Sequence, residues 1–532
     1  MTAFRWAPYG AALALGALFV ACLFPWASVF PADYTAVAWW GDRAAGMIGQ
    51  RYFLAAPWGW PPLQSEALDG VNTALTDSIP LAMLLLKPFR AWLPPGFYLQ
   101  EGWIALVWLL QPVAAVYALR GAGVRSWPGT LAVAALSMLP TLMARFGHTA
   151  LDTHALILLA LGLYLRLIRG GRGWWACVPL LLISLLVHPY LMAMVAAVLL
   201  AGPLSLLLAG RRWGPSAAWL GLGLAGTGVA ALLLGFGGTA EAPLGYGIFS
   251  MNLLAPFAPS RSTLFPNMAF DATGGQVGEG YQYLGGGLLM LLAVAGVLAV
   301  LGRGGFRWRR HAGLLLVMAG LVLFAASGTA YLGPYRLLNI TRIPHFVQQF
   351  RVTGRFFWPV AYALLVWAVA VVVRGLPGRA AALVLLAAVG LQAADMPTHW
   401  KNVQAWLYPQ TWAINAAALA PIIAAHDRVT LWPTFQCGVD GGDTRFMQVL
   451  LLASNTAPRV NTMYVARSTP VLACDAAAVL GQPWRPHELR IILPPAAADT
   501  RLLVPDGDRL CRRLDSLFLC SRDDPALLAL QP

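Results

Sequence analysis

The chain has 532 residues, of which 59% are hydrophobic and only 11% are charged, whereas soluble domains carry about 25% charged residues. This composition excludes an ordinary soluble enzyme and indicates a protein with many membrane spans. The formal net charge of +14 does not indicate a nucleic-acid partner, because the excess arginines lie in short loops between apolar segments, where they contact anionic membrane lipids.

The apolar segments predict about eleven transmembrane helices. The first, at about 7–30, is interpreted as an uncleaved span, and ten more are predicted near 97–119, 126–144, 150–168, 173–188, 190–210, 215–236, 285–302, 311–329, 357–374 and 380–395. Short loops on one side of these spans contain fourteen Arg and no Asp or Glu, which is typical of cytoplasmic loops. We therefore expect a cytoplasmic N terminus, and an extracytoplasmic location for the C terminus and for three long loops at 31–96, 237–284 and 330–356.

One apolar stretch is too long for a single span. Residues 174–210 would extend over about 50 Å as one helix at 1.5 Å per residue, so they are expected to form two. His188-Pro189-Tyr190 predicts the corner between them, because the residue before a proline disfavours the helical conformation.

The first long loop combines carboxylates with aromatic residues. Asp42 follows Gly41, Trp58 lies in a Pro-Trp-Gly-Trp-Pro-Pro stretch, and Asp77 lies in a Thr-Asp-Ser-Ile-Pro stretch. Aromatic faces suit the C–H surfaces of sugars, and a carboxylate can deprotonate an acceptor hydroxyl. The alternative is a belt of Trp and Tyr at the membrane interface with solvated acidic residues, and composition leaves both interpretations open.

Two weaker polar features lie near the ends of later spans. His148 and Asp152 are four residues apart and would share one helix face, while Glu279-Gly280-Tyr281 places a carboxylate beside an aromatic ring just before a span. Each could line a sugar pocket. Each could equally serve in helix capping, packing or the interface belt.

The last long loop carries arginines on the side where positive charge is disfavoured. They include Arg342, Arg351 and Arg355. Arg351 and Arg355 are four apart, so on a helix they would project from one face and form a clamp for a phosphate group. The alternative is that both side chains extend to the membrane interface without binding a ligand.

Residues 396–532 predict a small extracytoplasmic α/β domain. Their charge is nearly balanced, and short strand-like runs occur at 428–432, 449–452, 489–493, 501–504 and 516–520. Four cysteines, Cys437, Cys474, Cys511 and Cys520, suggest two disulfides in an oxidising compartment. A hairpin would pair Cys511 with Cys520 and leave Cys437 for Cys474, although the other two connectivities remain open.

The order of these parts resembles the GT-C superfamily of glycosyltransferases, which take sugars from polyprenyl-phosphate carriers at the outer membrane face. More closely, the chain resembles a bacterial multipass membrane family within that superfamily. The motifs that carry the resemblance are Gly41-Asp42, Thr76-Asp77-Ser78-Ile79-Pro80, Gly147-His148, Glu279-Gly280-Tyr281 and Phe350-Arg351-x-x-Gly-Arg355-Phe356. The resemblance covers essentially the whole chain, with a GT-C-like transmembrane domain at 1–395 and the α/β domain at 396–532.

The resemblance implies roles for individual residues. Asp42 would be the general base, with Asp33 or Asp77 as the reserve candidate, and Arg351 and Arg355 would hold the carrier phosphate. Further substrate contacts are expected from Arg342, Asp77, Trp58, Glu279, Tyr281 and His148. Because a single Asp follows Gly41 where many members have an acidic pair, an inverting, metal-independent reaction without a cofactor is expected.

The implied function is a glycosyltransferase of the bacterial cytoplasmic (inner) membrane. Its partners would be a polyprenyl-phosphate sugar donor, a glycan or lipid acceptor of the cell envelope, and membrane lipids. Two alternatives remain: a transporter or flippase of lipid-linked sugars, which would need polar residues at membrane depth, and a structural subunit of an envelope-assembly complex.

Overall fold

The computed structural model describes residues 3–25, 29, 37–39, 41–68, 70–94, 96–236, 245–305, 307–340, 342–435, 437, 444–465, 474, 476–494, 510–524 and 527. Its α-helices are α1 (Ala3–Leu23), α2 (Gly41–Ala55), α3 (Pro80–Leu86), α4 (Gln100–Gly121), α5 (Trp127–Leu136), α6 (Pro140–Met143), α7 (Ala155–Leu167), α8 (Cys177–Val187), α9 (Pro189–Leu208), α10 (Gly214–Leu233), α11 (Gly286–Val300), α12 (Ala312–Ala326), α13 (His345–Gln348), α14 (Trp358–Gly375), α15 (Gly378–Asp395), α16 (Pro397–Leu407), α17 (Ala416–Ala424), α18 (Thr444–Thr456) and α19 (Ala476–Leu480).

Short strands and 3₁₀ helices complete the described elements. The strands are β1 (Gln64–Ser65), β2 (Val71–Asn72), β3 (Tyr331–Leu332), β4 (Tyr335–Arg336), β5 (Arg428–Trp432), β6 (Arg459–Val460), β7 (Glu488–Ile492), β8 (Cys511–Leu514) and β9 (Leu517–Cys520). The 3₁₀ helices are Glu66–Leu68, Thr73–Thr76, Lys87–Trp92, Trp174–Ala176, Trp308–His311 and Thr353–Phe357.

The protein is helical and membrane-embedded, but the predicted count of eleven spans is not supported. In the described part of the chain, seven helices are long and apolar enough to cross a membrane: Trp6–Leu23, Gln100–Gly121, Pro189–Leu208, Gly214–Leu233, Trp308–Ala326, Thr353–Gly375 and Gly378–Asp395. Four apolar helical segments are shorter: Trp127–Met143, Ala155–Leu167, Trp174–Val187 and Gly286–Val300. Every predicted segment therefore contains a helix, but not each helix has the length of a span.

A helix is shorter than its predicted span where part of the apolar segment forms turns, as in α7. The sequence predicts a span at 150–168, but residues 144–154 form turns and the helix begins only at Ala155. At 1.5 Å per residue its 13 residues cover about 20 Å, against a hydrocarbon core of about 30 Å. The predicted corner at His188 is confirmed, since α8 ends at Val187 and α9 begins at Pro189.

The chain forms two compact units that do not follow the linear boundary at 395/396. The first unit comprises Met1–Val29, Glu101–Ala230 and Ala242–Leu407, and the second comprises Phe30–Gln100, Ala231–Glu241 and Tyr408–Pro532. The first long loop thus belongs with the C-terminal domain and not with the helices around it. We refer to these assemblies as the first unit and the second unit.

A shared apolar core explains why the first loop joins the second unit. Helix α2 is buried along most of its length, and its Met47 and Ile48 lie in the same hydrophobic cluster as Val429, Leu450 and Leu489. Burial of apolar surface gives roughly 25 cal/mol per Å², so a helix with this many buried side chains is held firmly by the domain that covers it.

The C-terminal part of the second unit contains a five-stranded sheet in the order β6-β5-β7-β9-β8. Strand β5 is parallel to β6 and β7, whereas β9 is antiparallel to both β7 and β8. The run at 449–452, predicted as a strand, lies inside helix α18. A continuous apolar run does not distinguish a buried strand from a buried helix. The run at 501–504 lies outside the described residues.

Both predicted disulfides are present. Cys511 and Cys520 are directly paired residues of the β8–β9 hairpin, with Cα atoms 4.0 Å apart. Cys437 and Cys474 form the second bridge across the domain, with Cα atoms 4.9 Å apart. The hairpin register therefore selects the pairing, because it opposes the two cysteines that flank the turn.

Candidate functional site

The first unit contains a compact charged cluster built around Glu279. Arg145 Nη1 lies 2.6 Å from Glu279 Oε1, and His148 Nε2 lies 3.3 Å from the same oxygen. Arg355 forms an ion pair with the other carboxylate oxygen, Oε2. We call Arg145, His148, Glu279 and Arg355 the Glu279 cluster. Three of its four members were expected as substrate contacts from the sequence.

Two glycines bring the loops of the cluster together. Gly354 lies against Gly280, and a Cβ atom on Gly354 would be 3.0 Å from the Gly280 Cα. The Gly354 amide also donates a hydrogen bond to the Phe249 carbonyl at 3.1 Å. Because neither residue has a side chain, the two backbones approach closely enough for the neighbouring Glu279 and Arg355 to form their ion pair.

Successive turns position the other two members of the cluster. The His148 amide donates to the Arg145 carbonyl at 2.8 Å, and the Leu151 amide donates to the His148 carbonyl at 2.9 Å. Arg145 also donates to the Gly278 carbonyl, beside Glu279. The expected helical i,i+4 pair of His148 and Asp152 is not formed, because residues 144–154 form turns and α7 starts after them.

The charge balance of the cluster holds Glu279 in its ionised form. Burial alone would raise the pKa of this carboxyl, but Arg145, Arg355 and His148 together outweigh that effect and hold its pKa well below the usual range. The Glu279 side chain keeps 28% of its surface exposed, whereas the two arginines keep only 6% and 7%. With His148 neutral, the cluster carries one net positive charge.

A second carboxyl beside this cluster has the opposite character. Asp152 is buried, and neither of its carboxyl oxygens has a hydrogen-bond partner among the described residues. Burial raises its pKa well above the usual range, although the charges of His148 and Arg145 oppose the shift. Two carboxyls with divergent pKa values in one site are typical of functional sites.

The predicted arginine clamp of Arg351 and Arg355 is not formed on one helix face. The 3₁₀ helix begins at Thr353, so Arg351 lies in the extended segment before it. Its guanidinium lies 5.8 Å from the centre of the Phe249 ring, and it has no carboxylate partner among the described residues. Arg342 is exposed, and no described contact joins it to the Glu279 cluster.

Tyr281 has a packing role in this structure. It is buried, its hydroxyl lies 3.1 Å from His399 Nε2, and it donates to the Arg261 carbonyl at 3.5 Å. Tyr283 likewise donates to Asp395 at 2.8 Å. These bonds fix the segment that follows Glu279 against α15 and α16.

The second unit contains the expected base. Asp42 lies in the first turn of α2, and its Oδ1 accepts a hydrogen bond from Tyr464 at 2.8 Å. Asp77 places a carboxylate oxygen within 4.8 Å of that of Asp42. The two carboxylates are separated in the sequence and brought together by the fold, and such a pair is compatible with a divalent cation. The expected metal independence of the reaction stays a prediction. Asp33 lies outside the described residues.

Asp77 and Trp58 lie in different surroundings within the first long loop. Asp77 has a left-handed backbone with φ 59° and ends the 3₁₀ helix Thr73–Thr76, while Ile79 occupies the N-cap of α3, so Asp77 does not cap that helix. Trp58 is exposed, and the Lys87 ammonium lies 4.8 Å from its ring centre. An exposed indole beside a cation suits either a sugar face or a membrane interface.

The sequence analysis missed Arg145. It directly follows the apolar segment predicted at 126–144. The available signal was its predicted side of the membrane, where arginine is disfavoured, together with its position two residues before Gly147-His148.

Two family profiles match this chain. The profile described as "Domain of unknown function (DUF6311)" matches residues 13–397, and the profile described as "DUF6311 C-terminal domain" matches residues 418–522. The chain belongs to the DUF6311 family. The first match contains the whole Glu279 cluster and also Asp42 and Asp77, so both candidate sites lie within the DUF6311 region. Searches of curated proteins and of solved structures found no match.

We predict that Gly280→Ala disrupts the site while Gly278→Ala does not. A Cβ atom at Gly280 would meet the Ser250 carbonyl oxygen at 2.2 Å and the Gln276 Cα at 2.8 Å, whereas the nearest atom at Gly278 is 3.9 Å away. Overpacking of this kind costs about 1–3 kcal/mol or more. Thermal unfolding in detergent should show a clearly lower Tm for Gly280→Ala only, and equal Tm values would contradict the close approach.

We predict that replacing Glu279 destabilises the protein at pH 7, whereas replacing Asp152 does not. Glu279→Gln leaves two guanidiniums uncompensated and should cost about 3–5 kcal/mol at pH 7. Asp152→Asn should cost nothing at pH 7, because it removes a carboxyl whose charged form is disfavoured by burial. Because folding lowers the pKa of Glu279, its ion pairs stabilise the fold fully above the unfolded-state pKa of about 4.3. This stabilisation is lost as the pH falls below that value toward the folded-state pKa.

Unfolding curves of the three proteins at pH 7 and near pH 4 provide the measurement. The gap between wild type and Glu279→Gln should shrink at the lower pH. A Glu279→Gln variant as stable as wild type at pH 7 would show that these ion pairs do not hold the loops.

Proposed function

We propose that this protein is a membrane glycosyltransferase. It transfers a sugar from a polyprenyl-phosphate carrier to a glycan or lipid acceptor of the cell envelope, at the extracytoplasmic face of the bacterial cytoplasmic membrane. The observation that carries the proposal is the Glu279 cluster, in which two buried guanidiniums lie at the ends of apolar helices. Guanidiniums at that position suit a lipid-linked phosphate.

The proposed topology uses all eleven apolar helical segments. The seven long helices and the four shorter ones would cross the membrane together, with the shorter ones at places where the bilayer thins or where loops enter it. The arginine-only loops would be cytoplasmic. Two disulfides in the second unit favour an oxidising, extracytoplasmic compartment for that unit.

The donor would bind through its phosphate. A guanidinium carries five N–H donors, so the ion pair of Arg145 with Glu279 does not use its full capacity. Arg351, which has no carboxylate partner among the described residues, would contribute a third guanidinium in addition to those of Arg145 and Arg355. Glu279 would orient Arg145 and Arg355, because charge-assisted bonds fix the plane of each guanidinium.

The transfer would be a single displacement at the anomeric carbon. Asp42 takes the proton from the acceptor hydroxyl, the acceptor oxygen forms the new C–O bond, and the bond to the carrier phosphate breaks with its electron pair remaining on the phosphate. The leaving phosphate is stabilised by arginine, so no general acid is required. The hydrogen bond from Tyr464 would orient the Asp42 carboxylate toward the acceptor.

Transport of a lipid-linked sugar is the second candidate, because one observation favours it. A chain of buried polar groups runs between helices of the first unit: the Tyr362 hydroxyl lies 2.8 Å from His154 Nδ1 and accepts a hydrogen bond from Gln111 at 2.9 Å. The buried carboxyl of Asp152 lies two residues before His154 in the sequence. Buried polar groups between membrane-spanning helices are a requirement for translocation. A reconstituted flipping assay without an acceptor separates the two functions.

We predict that Asp42→Asn abolishes sugar transfer but leaves binding of the carrier lipid nearly unchanged. Loss of a general base costs about 10²–10⁴ in rate, whereas the carrier phosphate is held by arginines. Purified protein, a labelled polyprenyl-phosphate sugar and an envelope acceptor extract provide the assay. Glu66→Gln is the matched control, because Glu66 belongs to the same loop but its side chain is 89% exposed. Wild-type turnover by Asp42→Asn would exclude Asp42 as the base.

We predict that Arg351→Ala and Arg355→Ala weaken carrier binding in distinguishable ways. Each loses charge-assisted contacts of about 1.5–3 kcal/mol, but only Arg355→Ala also removes a partner of Glu279 and lowers Tm. Lysine should restore part of the binding at either position, because an ammonium lacks the planar fork. The exposed Arg336 provides an Arg→Ala control in the same loop. Carrier binding unchanged in both variants would remove the main support for a lipid-phosphate site.

A further inference from the structure

The first unit contains a large apolar cavity away from the Glu279 cluster. Its volume is about 510 Å³, and it lies between α7, α12 and α14. Its wall is formed by Leu161, Leu314, Met318, Leu364 and Trp367, among others. Arg355 precedes the first residue of α14, whereas the cavity extends along α14 to Arg374, near its last residue. Arg374 in its lining therefore lies at the end of this helix opposite to the Glu279 cluster.

Four arginines form the rim of the cavity. They are Arg169, Arg307, Arg310 and Arg374, and no Asp or Glu is among the residues that line it. None of the four forms an ion pair with a described residue. Arg169 donates to the Ala122 carbonyl at 2.6 Å, and Arg374 donates to the same oxygen. Two guanidiniums thus converge on one neutral acceptor, an arrangement that an anion would stabilise by relieving their repulsion.

The apolar wall and the four arginines of this cavity together indicate the chemical class of its ligand. A soluble anion would satisfy the arginines but would leave the apolar wall exposed to water. An uncharged lipid would fill the apolar space but would not compensate the four positive charges. Only a molecule with a hydrocarbon chain and an anionic head satisfies both, and arginines near the ends of membrane-spanning helices lie at the depth of the phosphate groups.

We propose that this cavity binds an anionic phospholipid of the surrounding bilayer. One hydrocarbon chain lies between α12 and α14, and the headgroup phosphate accepts hydrogen bonds from Arg310 and Arg374. The bound lipid offsets the positive charge at this end of the first unit and fills the space between the helices. The site is separate from the proposed sugar-transfer site, so its test does not depend on enzymatic activity.

The test compares lipids that differ only in the headgroup. The purified full chain in an uncharged detergent is titrated with phosphatidylglycerol or with phosphatidylcholine of the same acyl chains, and native mass spectrometry and the Tm report binding. Phosphatidylglycerol should bind at least ten-fold more tightly, a difference of about 1.4 kcal/mol. Inorganic phosphate alone should leave the Tm unchanged. Equal binding of the two lipids, or equal stabilisation by inorganic phosphate, would overturn the proposal.

Variants locate the effect in the cavity. Arg310→Gln combined with Arg374→Gln should abolish the preference for phosphatidylglycerol. Arg125→Gln combined with Arg379→Gln removes the same charge from exposed arginines that do not line the cavity and should keep the preference. Ala363→Phe, which fills the lining without changing the charge, should weaken binding of both lipids. Loss of preference in the Arg125/Arg379 control, or unchanged binding in Ala363→Phe, would show that the lipid binds elsewhere.

Discussion

The ion pairs of Glu279 are the interaction on which the candidate site of the first unit depends. They join three segments that are far apart in the sequence, the turns after α6, the loop before α11 and the 3₁₀ helix before α14. A carboxylate between two nearly buried guanidiniums is stable only as a complete set, because removal of one member leaves an uncompensated charge with little access to water. The same set keeps the arginines ordered before any ligand binds.

The second unit holds its carboxylates by a different means. Asp42 lies on a helix whose other residues are packed into a hydrophobic core, and the neighbouring Arg43 is buried and stacks on Trp39 at 3.7 Å. Burial lowers the pKa of Arg43 to about 9. Further along α2, Arg51 donates to Asn455 at 2.9 Å. If Asp42 acts as the proposed base, a position on a buried helix gives it less freedom than one on a loop, which favours proton transfer.

Local patterns in the sequence predicted some parts of this structure well. The corner at His188-Pro189 follows from the geometry of proline, and the pairing of Cys511 with Cys520 follows from a hairpin. Arg351 and Arg355 do not share a helix face, because their spacing gives a common face only if the intervening residues are α-helical, and here a 3₁₀ helix starts between them. Their binding of a phosphate stays a prediction. The pair of Asp42 and Asp77 and the role of Arg145 depend on contacts between distant segments, and no local pattern contains that information.

Arginine serves two physically distinct purposes in the first unit. In the Glu279 cluster the guanidiniums are nearly buried and share a carboxylate, so a ligand there would meet one net positive charge and only the N–H groups that Glu279 leaves open. Around the apolar cavity the guanidiniums are exposed and bond only to backbone carbonyls among the described residues. An anion bound at the cavity would offset the positive charge of these arginines without displacing a carboxylate. The first arrangement suits a substrate that must bind and leave, whereas the second suits a lipid that remains bound.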